Sequence, residues 1–317
     1  MIRNAQVRGQ FQLFAARVDE EGVRHVRKLT EKFDNLITNS GMDQLGTTSG
    51  YLAYCHVGVG TTTPAFTDTQ LASWLAYTNS TYQSDGVDGS TEEQMRTAAT
   101  VWGSRTRYFQ FAQGAVVGNV TEIGVSTSSG TGSSYPLFSR TLIKDAEGNP
   151  TSVTVLASEY LCVAYTLTVY LDGNDVSGTF VFDGNTYNYT SGFYNTSGQV
   201  GASIIANFIG SAMALSNGAA QRNNVRLAAS AWSGGRTANA PSTYGSTSVS
   251  GTTYVPGSFV WEYTISAPPS AANGRWYGVV YDVGWMNYRV EFPDNLTKTS
   301  DYTWTLVVRQ SWSRYTP

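Results

Sequence analysis

From about residue 100 the chain is a succession of short apolar–polar alternations broken by Gly, Pro, Ser and Asn. The stretches 107–113 (RYFQFAQ), 119–126 (NVTEIGVS), 137–143 (LFSRTLI), 152–156 (SVTVL) and 160–171 (YLCVAYTLTVYL) carry the period of two that sends alternate side chains to opposite faces of a strand. Short strands punctuated in this way predict a sandwich or barrel. Upstream, 7–18 and 23–29 alternate around Asp19-Glu20-Glu21-Gly22, a link of hairpin length, which predicts an N-terminal β-hairpin. Two short helices are expected. One opens at Phe33-Asp34-Asn35-Leu36-Ile37, with Asp34 as its cap and Gly41 or Gly46 as its stop; the other covers 68–75, capped by Thr67 or Asp68, with Leu71, Trp74 and Leu75 on one face.

The second half of the chain echoes this order. The stretch 259–266 (FVWEYTIS) stands where RYFQFAQ stood, 276–283 (WYGVVYDV) where NVTEIGVS stood, and 285–292 (WMNYRVEF) where LFSRTLI stood. Tyr302-Thr303-Trp304-Thr305 matches Tyr165-Thr166-Leu167-Thr168, and 212–218 (AMALSNG) echoes 53–60 (AYCHVGVG). Two explanations stay open: a duplicated β-sandwich, or two strand-rich stretches that share nothing but Thr–aromatic alternation. The fold expected is mainly β, with two sandwich-like domains at 46–172 and 173–317 behind an N-terminal hairpin and helix at 1–45 that serves as an attachment element. Asp183-Gly184-Asn185 centres a hairpin-like insert at 176–190, and 235–257, rich in Gly, Ser, Thr and Tyr, reads as a long surface loop.

Composition sharpens the class. Charged residues are 14% of the 317, against about 25% in ordinary domains, and Ser, Thr, Asn, Gln, Gly and Tyr take their place. That mixture suits strands and turns rather than long exposed helices. A net charge of −3 offers no basic field for a phosphate backbone, so nucleic acid is not an expected partner. The N-terminus lacks a secretory apolar stretch and no run reaches the roughly 18 apolar residues of a membrane span, so neither export by that route nor insertion is expected. Cys55 and Cys162 read as buried thiols made in a reducing cytoplasm.

Catalytic chemistry finds little to work with. The two histidines are His25, in the hairpin, and His56, whose neighbour Cys55 points to the opposite face of a strand. No nucleophile elbow, phosphate loop or zinc-helix motif occurs, and no cofactor or metal is expected. Glycoside hydrolysis needs only two carboxylates, for which Glu122, Glu159, Glu262, Asp282 and Glu291 are the candidates; acids on the solvent face of strands are the simpler explanation. Asp172-Gly173-Asn174-Asp175 gathers oxygens as a calcium turn does, but turn chemistry alone accounts for it. The 20 Tyr and 8 Trp are the remaining signal. Tyr187, Tyr189, Tyr194, Tyr244 and Tyr254, with Phe193, are candidates for stacking on a glycan or a neighbouring subunit.

Two stretches resemble tail-associated virion proteins of tailed bacteriophages. The first is Phe33-Asp34-Asn35-Leu36-Ile37-Thr38-Asn39-Ser40-Gly41-Met42-Asp43, followed by Cys55-His56-Val57-Gly58-Val59-Gly60 and by 62–72 (TTPAFTDTQLA). The second is 137–145 (LFSRTLIKD), running through Gly148-Asn149-Pro150-Thr151 into Thr154-Val155-Leu156. The resemblance covers roughly residues 33–171 and weakens beyond 172. It implies a non-enzymatic virion building block of the tail fibre, tip or baseplate, made in the host cytoplasm. Other tail proteins are the partners it implies; repeating one interface around a tail axis adds a trimeric or hexameric homo-oligomer, and the Tyr-rich loops add a host cell-surface glycan. With Phe11, Phe14, Phe33, Leu36 and Ile37, the N-terminal element is the candidate for virion attachment.

Overall fold

The first strand organises the molecule. At odd positions Ala5, Val7, Phe11 and Leu13 are buried, while the even Asn4, Gln6, Arg8, Gln10 and Gln12 are exposed or half-buried, so one face is core and the other is polar. The computed structural model describes residues 2–47, 50–194, 226–232, 236, 242, 248–283 and 286–316. It is mainly β, with 54% strand and 6% helix.

In chain order the elements are β1 (Ile2–Val18), β2 (Arg24–Lys28), β3 (Phe33–Asp34), β4 (Leu36–Ile37), α1 (Asn39–Thr47), β5 (Tyr54–Gly58), β6 (Trp74–Thr78), β7 (Gly86–Gly89) and α2 (Glu92–Thr97). Then come β8 (Thr100–Gln110), β9 (Gly118–Val120), β10 (Glu122–Ser126), β11 (Ser139–Leu142), β12 (Val153–Val155), β13 (Tyr160–Asp172), β14 (Val176–Phe182) and β15 (Asn185–Phe193). The last are β16 (Arg226–Ala228), β17 (Ser248–Tyr254), β18 (Val260–Ala267), β19 (Gly274–Val283), β20 (Met286–Lys298) and β21 (Trp304–Arg314).

A nine-stranded sheet runs β17-β18-β21-β1-β13-β8-β7. One edge of β1 is zipped to β13 from Ala5↔Leu171 to Ala16↔Tyr160. Its other edge is shared in turn by β21 (parallel, Ile2–Val7), β3 (at Gln10 and Phe11) and β2 (Phe14–Val18). Two five-stranded sheets, β4-β11-β10-β5-β6 and β14-β15-β20-β19-β16, and a two-stranded β12-β9 complete the fold. A single hydrophobic cluster joins all of them: it holds Phe11 and Tyr165 of the large sheet, Val57 and Ile123 of one smaller sheet, and Val279 and Val290 of the other. Phe11 packs at a tilt with its ring 4.6 Å from that of Tyr165, and Trp276 meets Trp304 edge-on at 4.2 Å.

The expected repeat is visible in the topology. In the first half β8 and β13 pair in the large sheet while β10 and β11 form a hairpin in a smaller one, with β5 beside β10. In the second half β18 and β21 pair in the large sheet while β19 and β20 form the hairpin, with β16 beside β19. The two units hang on opposite edges of β1. Because β13 runs antiparallel to β1 and β21 parallel to it, equivalent strands point in opposite directions, as a two-fold axis through β1 and normal to the sheet would place them. The segment 212–218, expected to echo β5, lies outside the described residues; β16 holds the equivalent place.

Several expectations need correction. The N-terminal hairpin forms, yet β1 is the middle strand of the large sheet rather than an appendage, and that sheet takes strands from both sides of the boundaries expected at 45 and 172. Phe11, Phe33 and Ile37 are consequently buried, and Phe14 and Leu36 half-buried. The first helix starts later than expected. Asp34 is drawn into a two-pronged ion pair with Arg8 (2.8 and 3.0 Å), leaving 33–37 extended, and Thr38 Oγ1 accepts the Gly41 N–H as the cap. Neither glycine stops the helix. Gly41 lies inside α1 because a Cβ there would overlap the carbonyl of Phe138, and one at Gly46 would sit 2.8 Å from the Trp312 ring. The second helix does not form at 68–75: the segment is a loop leading into β6, for reasons given by its partners below.

Candidate functional site

On the smaller sheet β4-β11-β10-β5-β6, the residues facing away from the core are polar yet buried. Strand alternation turns Cys55, Val57, Ile123 and Val125 inward and leaves His56, Gly58, Glu122, Gly124, Ser126 and Arg140 on the other face. Two chain segments, 59–73 and 127–138, close over that face and are pinned to it.

The pin is Glu122, whose side chain is 0% exposed. Its Oε1 accepts the N–H groups of Gly60 (3.0 Å) and Ser73 (2.7 Å), and its Oε2 accepts that of Ala72 (3.0 Å). Arg140 completes the set, with Nε 3.0 Å and Nη2 2.9 Å from Oε2. Arg140 also donates to Asp68 Oδ2 (2.5 Å) and to the carbonyl of Thr62 (2.9 Å), and Asp68 accepts from Ala65 N (2.8 Å). A carboxylate with three backbone donors and a guanidinium keeps its charge without water, which is the condition for burying it. The same bonds explain the missing helix. The N–H groups of Ala72 and Ser73, which a helix would direct to carbonyls one turn back, are taken by Glu122. Gly58 and Gly60 carry no side chain because a Cβ would overlap Ser73 O at the first and the Glu122 carboxylate at the second.

A second network lies beside it. His56 Nδ1 accepts the indole N–H of Trp74 (3.3 Å), so Nε2 carries the proton and donates to Ser126 Oγ (2.8 Å) and Ser128 O (3.0 Å). Ser126 in turn donates to Ser128 O (2.6 Å). With the proton on Nε2, the ring has no lone pair facing Ser126, and the pair is a brace rather than a nucleophile and its base. Burial disfavours the imidazolium and pushes His56 down to about 4.

Trp74 and Tyr77 emerge from this brace on one face of β6, the edge strand. Three residues apart, they would face opposite ways in a regular strand. A bulge between Val57 and Gly58 changes the register, pairing Trp74 with Gly58 and Tyr77 with His56, both on the outer face. The ring of Tyr77 lies 6.3 Å from Trp74, 6.0 Å from His56 and 5.9 Å from Tyr54.

Among the described residues five aromatic side chains are strongly exposed: Phe66, Trp74, Tyr77, Tyr135 and Tyr302. Trp74 and Tyr77 stand together here; Tyr135 belongs to the segment 127–138, and Phe66 lies under the Arg314 guanidinium at the cleft beside β1 and β21. The tyrosines singled out from the sequence do other work. Tyr194 is buried, and half-buried Tyr187 and Tyr189 pack on Phe180. Tyr254 stacks on Trp312 and donates to Asp43; Tyr244 lies outside the described residues.

Four of the candidate acids each meet an arginine: Glu122 with Arg140, Glu159 with Arg27, Glu262 with Arg309 and Glu291 with Arg289. The side chain of Asp282 lies outside the description. Cys55 and Cys162 are free and buried, and burial pushes both thiols up. His25 is exposed beside Asp19 at 2.6 Å. Asp172 accepts the Asn174 N–H as a turn residue, and Asp175 pairs with Arg289. Among the described residues no cluster of three or more His, Cys, Asp or Glu is placed to hold a metal, and no helix is long and apolar enough to cross a membrane.

Two clefts lie elsewhere. One of about 360 Å³ sits between β1, β3 and the end of β21, where Arg8 is held by Asp34 and Arg314 donates to Ile37 O and Asn39 Oδ1. The other, about 450 Å³, is bridged by the Arg27–Glu159 pair. Searches against family models, curated proteins and solved structures return no match to the chain.

Proposed function

We propose that the chain is a non-enzymatic structural component of a bacteriophage tail, placed in a fibre, tip or baseplate, that contributes to attachment at the host surface. One observation carries the reading. The stretches that resemble tail proteins supply the network around Glu122: Gly58, Gly60, Thr62, Asp68 and Ala72 come from the first, and Arg140 from the second. The resemblance therefore falls on one physical unit, a loop pinned over a sheet by a buried charge, rather than on scattered strand ends. In this reading the protein assembles in the host cytoplasm, joins other tail proteins as a closed trimer or hexamer, and resides in the virion. Mass spectrometry of purified particles should find it at a copy number that is a multiple of three. Its absence from intact virions, together with a monomeric mass in solution, would overturn the proposal.

A further inference from the structure

We infer that Trp74 and Tyr77, with Tyr54 at their margin, form a stacking platform for a neutral pyranose glycan. Three observations lead there. First, the rings are aimed. The β6 bulge, set next to the pinned Ser73, brings Trp74 and Tyr77 to the same face although their spacing opposes it, and leaves the rings 49% and 45% exposed. Second, the larger ring is fixed. The Trp74 N–H is held by His56, which is itself tied to Ser126 and Ser128, so an exposed indole that would otherwise rotate is set in one orientation before any ligand arrives. Such preorganisation lowers the entropy cost of binding.

Third, the surroundings select the ligand. Segments 69–84 and 123–139 contain no Asp, Glu, Lys or Arg. Of the charges nearby, Glu122, Arg140 and Asp68 satisfy one another beneath the loop, and Arg24, at the Tyr82 end of the segment, is spent on Gln110, Cys162 and the Tyr82 ring. Along the segment that carries the rings, Ser73, Asn79, Ser80 and Thr81 are exposed and offer hydroxyl and amide groups, interspersed with the apolar Ala72 and Leu75. A phosphate or a uronic acid would find no counter-charge there. A neutral pyranose fits both parts of the surface, because its C–H face carries partial positive charge toward the negative π-face of an aromatic ring while its rim of hydroxyls pairs with neutral donors and acceptors. The edge position of β6 leaves one side open for a polymer to pass.

The platform deepens the attachment half of the proposed function and rests on that reading for the source of the glycan. The test is affinity electrophoresis of the full chain in native gels containing dextran, mannan or hydroxyethylcellulose, with polygalacturonate as the acidic control. At least one neutral polymer should retard the protein. Trp74→Ala and Tyr77→Ala should each weaken binding by about tenfold or more, the loss typical of a stacking anchor. Tyr302→Ala, which removes an exposed aromatic outside the platform, should leave binding within about twofold, and circular dichroism should be unchanged in all three. Equal retardation of the variants, preference for polygalacturonate, or no retardation by any neutral polymer would overturn the inference. So would self-association of the wild type that Trp74→Ala abolishes, since a second copy would then occupy the face. Because the virion experiment is separate, loss of the tail assignment with retained glycan binding, or the reverse, identifies which proposal failed.

Discussion

Replacing Arg140 by Met keeps most of the side-chain volume and removes the charge. The guanidinium is 3% exposed and its partner Glu122 is 0% exposed, so the substitution strands a carboxylate that cannot reach water. Breaking a buried pair from one side typically costs about 3–5 kcal/mol. Glu122 retains the N–H groups of Gly60, Ala72 and Ser73, which favours the low end, about 3 kcal/mol. Part of that loss belongs to Asp68 and Thr62, which lose a donor as well. Urea unfolding measures it directly, as a shift in midpoint at constant slope. A double-mutant cycle with Glu122→Gln isolates the pair: the two changes together should cost less than their sum by about 2 kcal/mol. Limited proteolysis should show new cleavage within 59–73 in Arg140→Met, since that segment loses its anchor. A loss below about 1 kcal/mol, or strict additivity in the cycle, would mean that the network is solvated and that the loops are held by something else.

Three further outcomes follow from the same structure. His56 titrates near 4 in the fold against an ordinary value of about 6.5, so the unfolded chain takes up its proton first; stability should fall by up to about 3 kcal/mol between those pH values and flatten below them, a slope that urea unfolding should find missing in His56→Gln. Gly41→Ala improves helix propensity by up to about 1 kcal/mol but drives a methyl into the Phe138 carbonyl, so thermal unfolding should register a net loss; a gain would show that α1 shifts freely. Phe11→Ala removes a fully buried ring from between Tyr165 and Phe33 and should cost about 3–5 kcal/mol in chemical denaturation, with no selective loosening of the pinned loops.

What the sequence disclosed and what it hid divide along the range of the interactions involved. YLCVAYTLTVYL reads as a strand because alternation is local, and it is β13; RYFQFAQ supplies the last four residues of β8, which begins seven residues earlier at Thr100 and ends at Gln110. The repeat was legible for the same reason, since it is an order of strands. The helix expected at 68–75 failed because the decisive partner, Glu122, lies some fifty residues downstream and takes the N–H groups that the helix would have needed. Asp34 looked like a cap until Arg8, from a strand 26 residues earlier, claimed it. The N-terminal aromatics read as an attachment surface because nothing in their own neighbourhood announces that Tyr165 of β13 will close over Phe11 and Phe33 in the core. The aromatic platform was hidden twice over: 68–75 reads as a helix that packs Trp74 with Leu71 and Leu75, and even as a regular strand Trp74 and Tyr77 would fall on opposite faces but for the bulge. A usable clue existed in the charge-free run around them, where a Trp and two Tyr sit among hydroxyl and amide residues.

The position of β1 also governs how this chain can be made. Its edge from Ile2 to Val7 is completed by residues 309–314, so the two partners are separated by almost the whole length of the chain. At ribosomal speeds of about 5–20 residues per second, that edge waits roughly 15–60 s for its neighbour. During the interval the first unit can close on β13, but a strip of unpaired backbone remains open to any other strand of the same kind. A chain stopped before residue 304 would therefore keep a permanent adhesive margin, and newly made copies standing close together on one message would be the nearest strands to fill it.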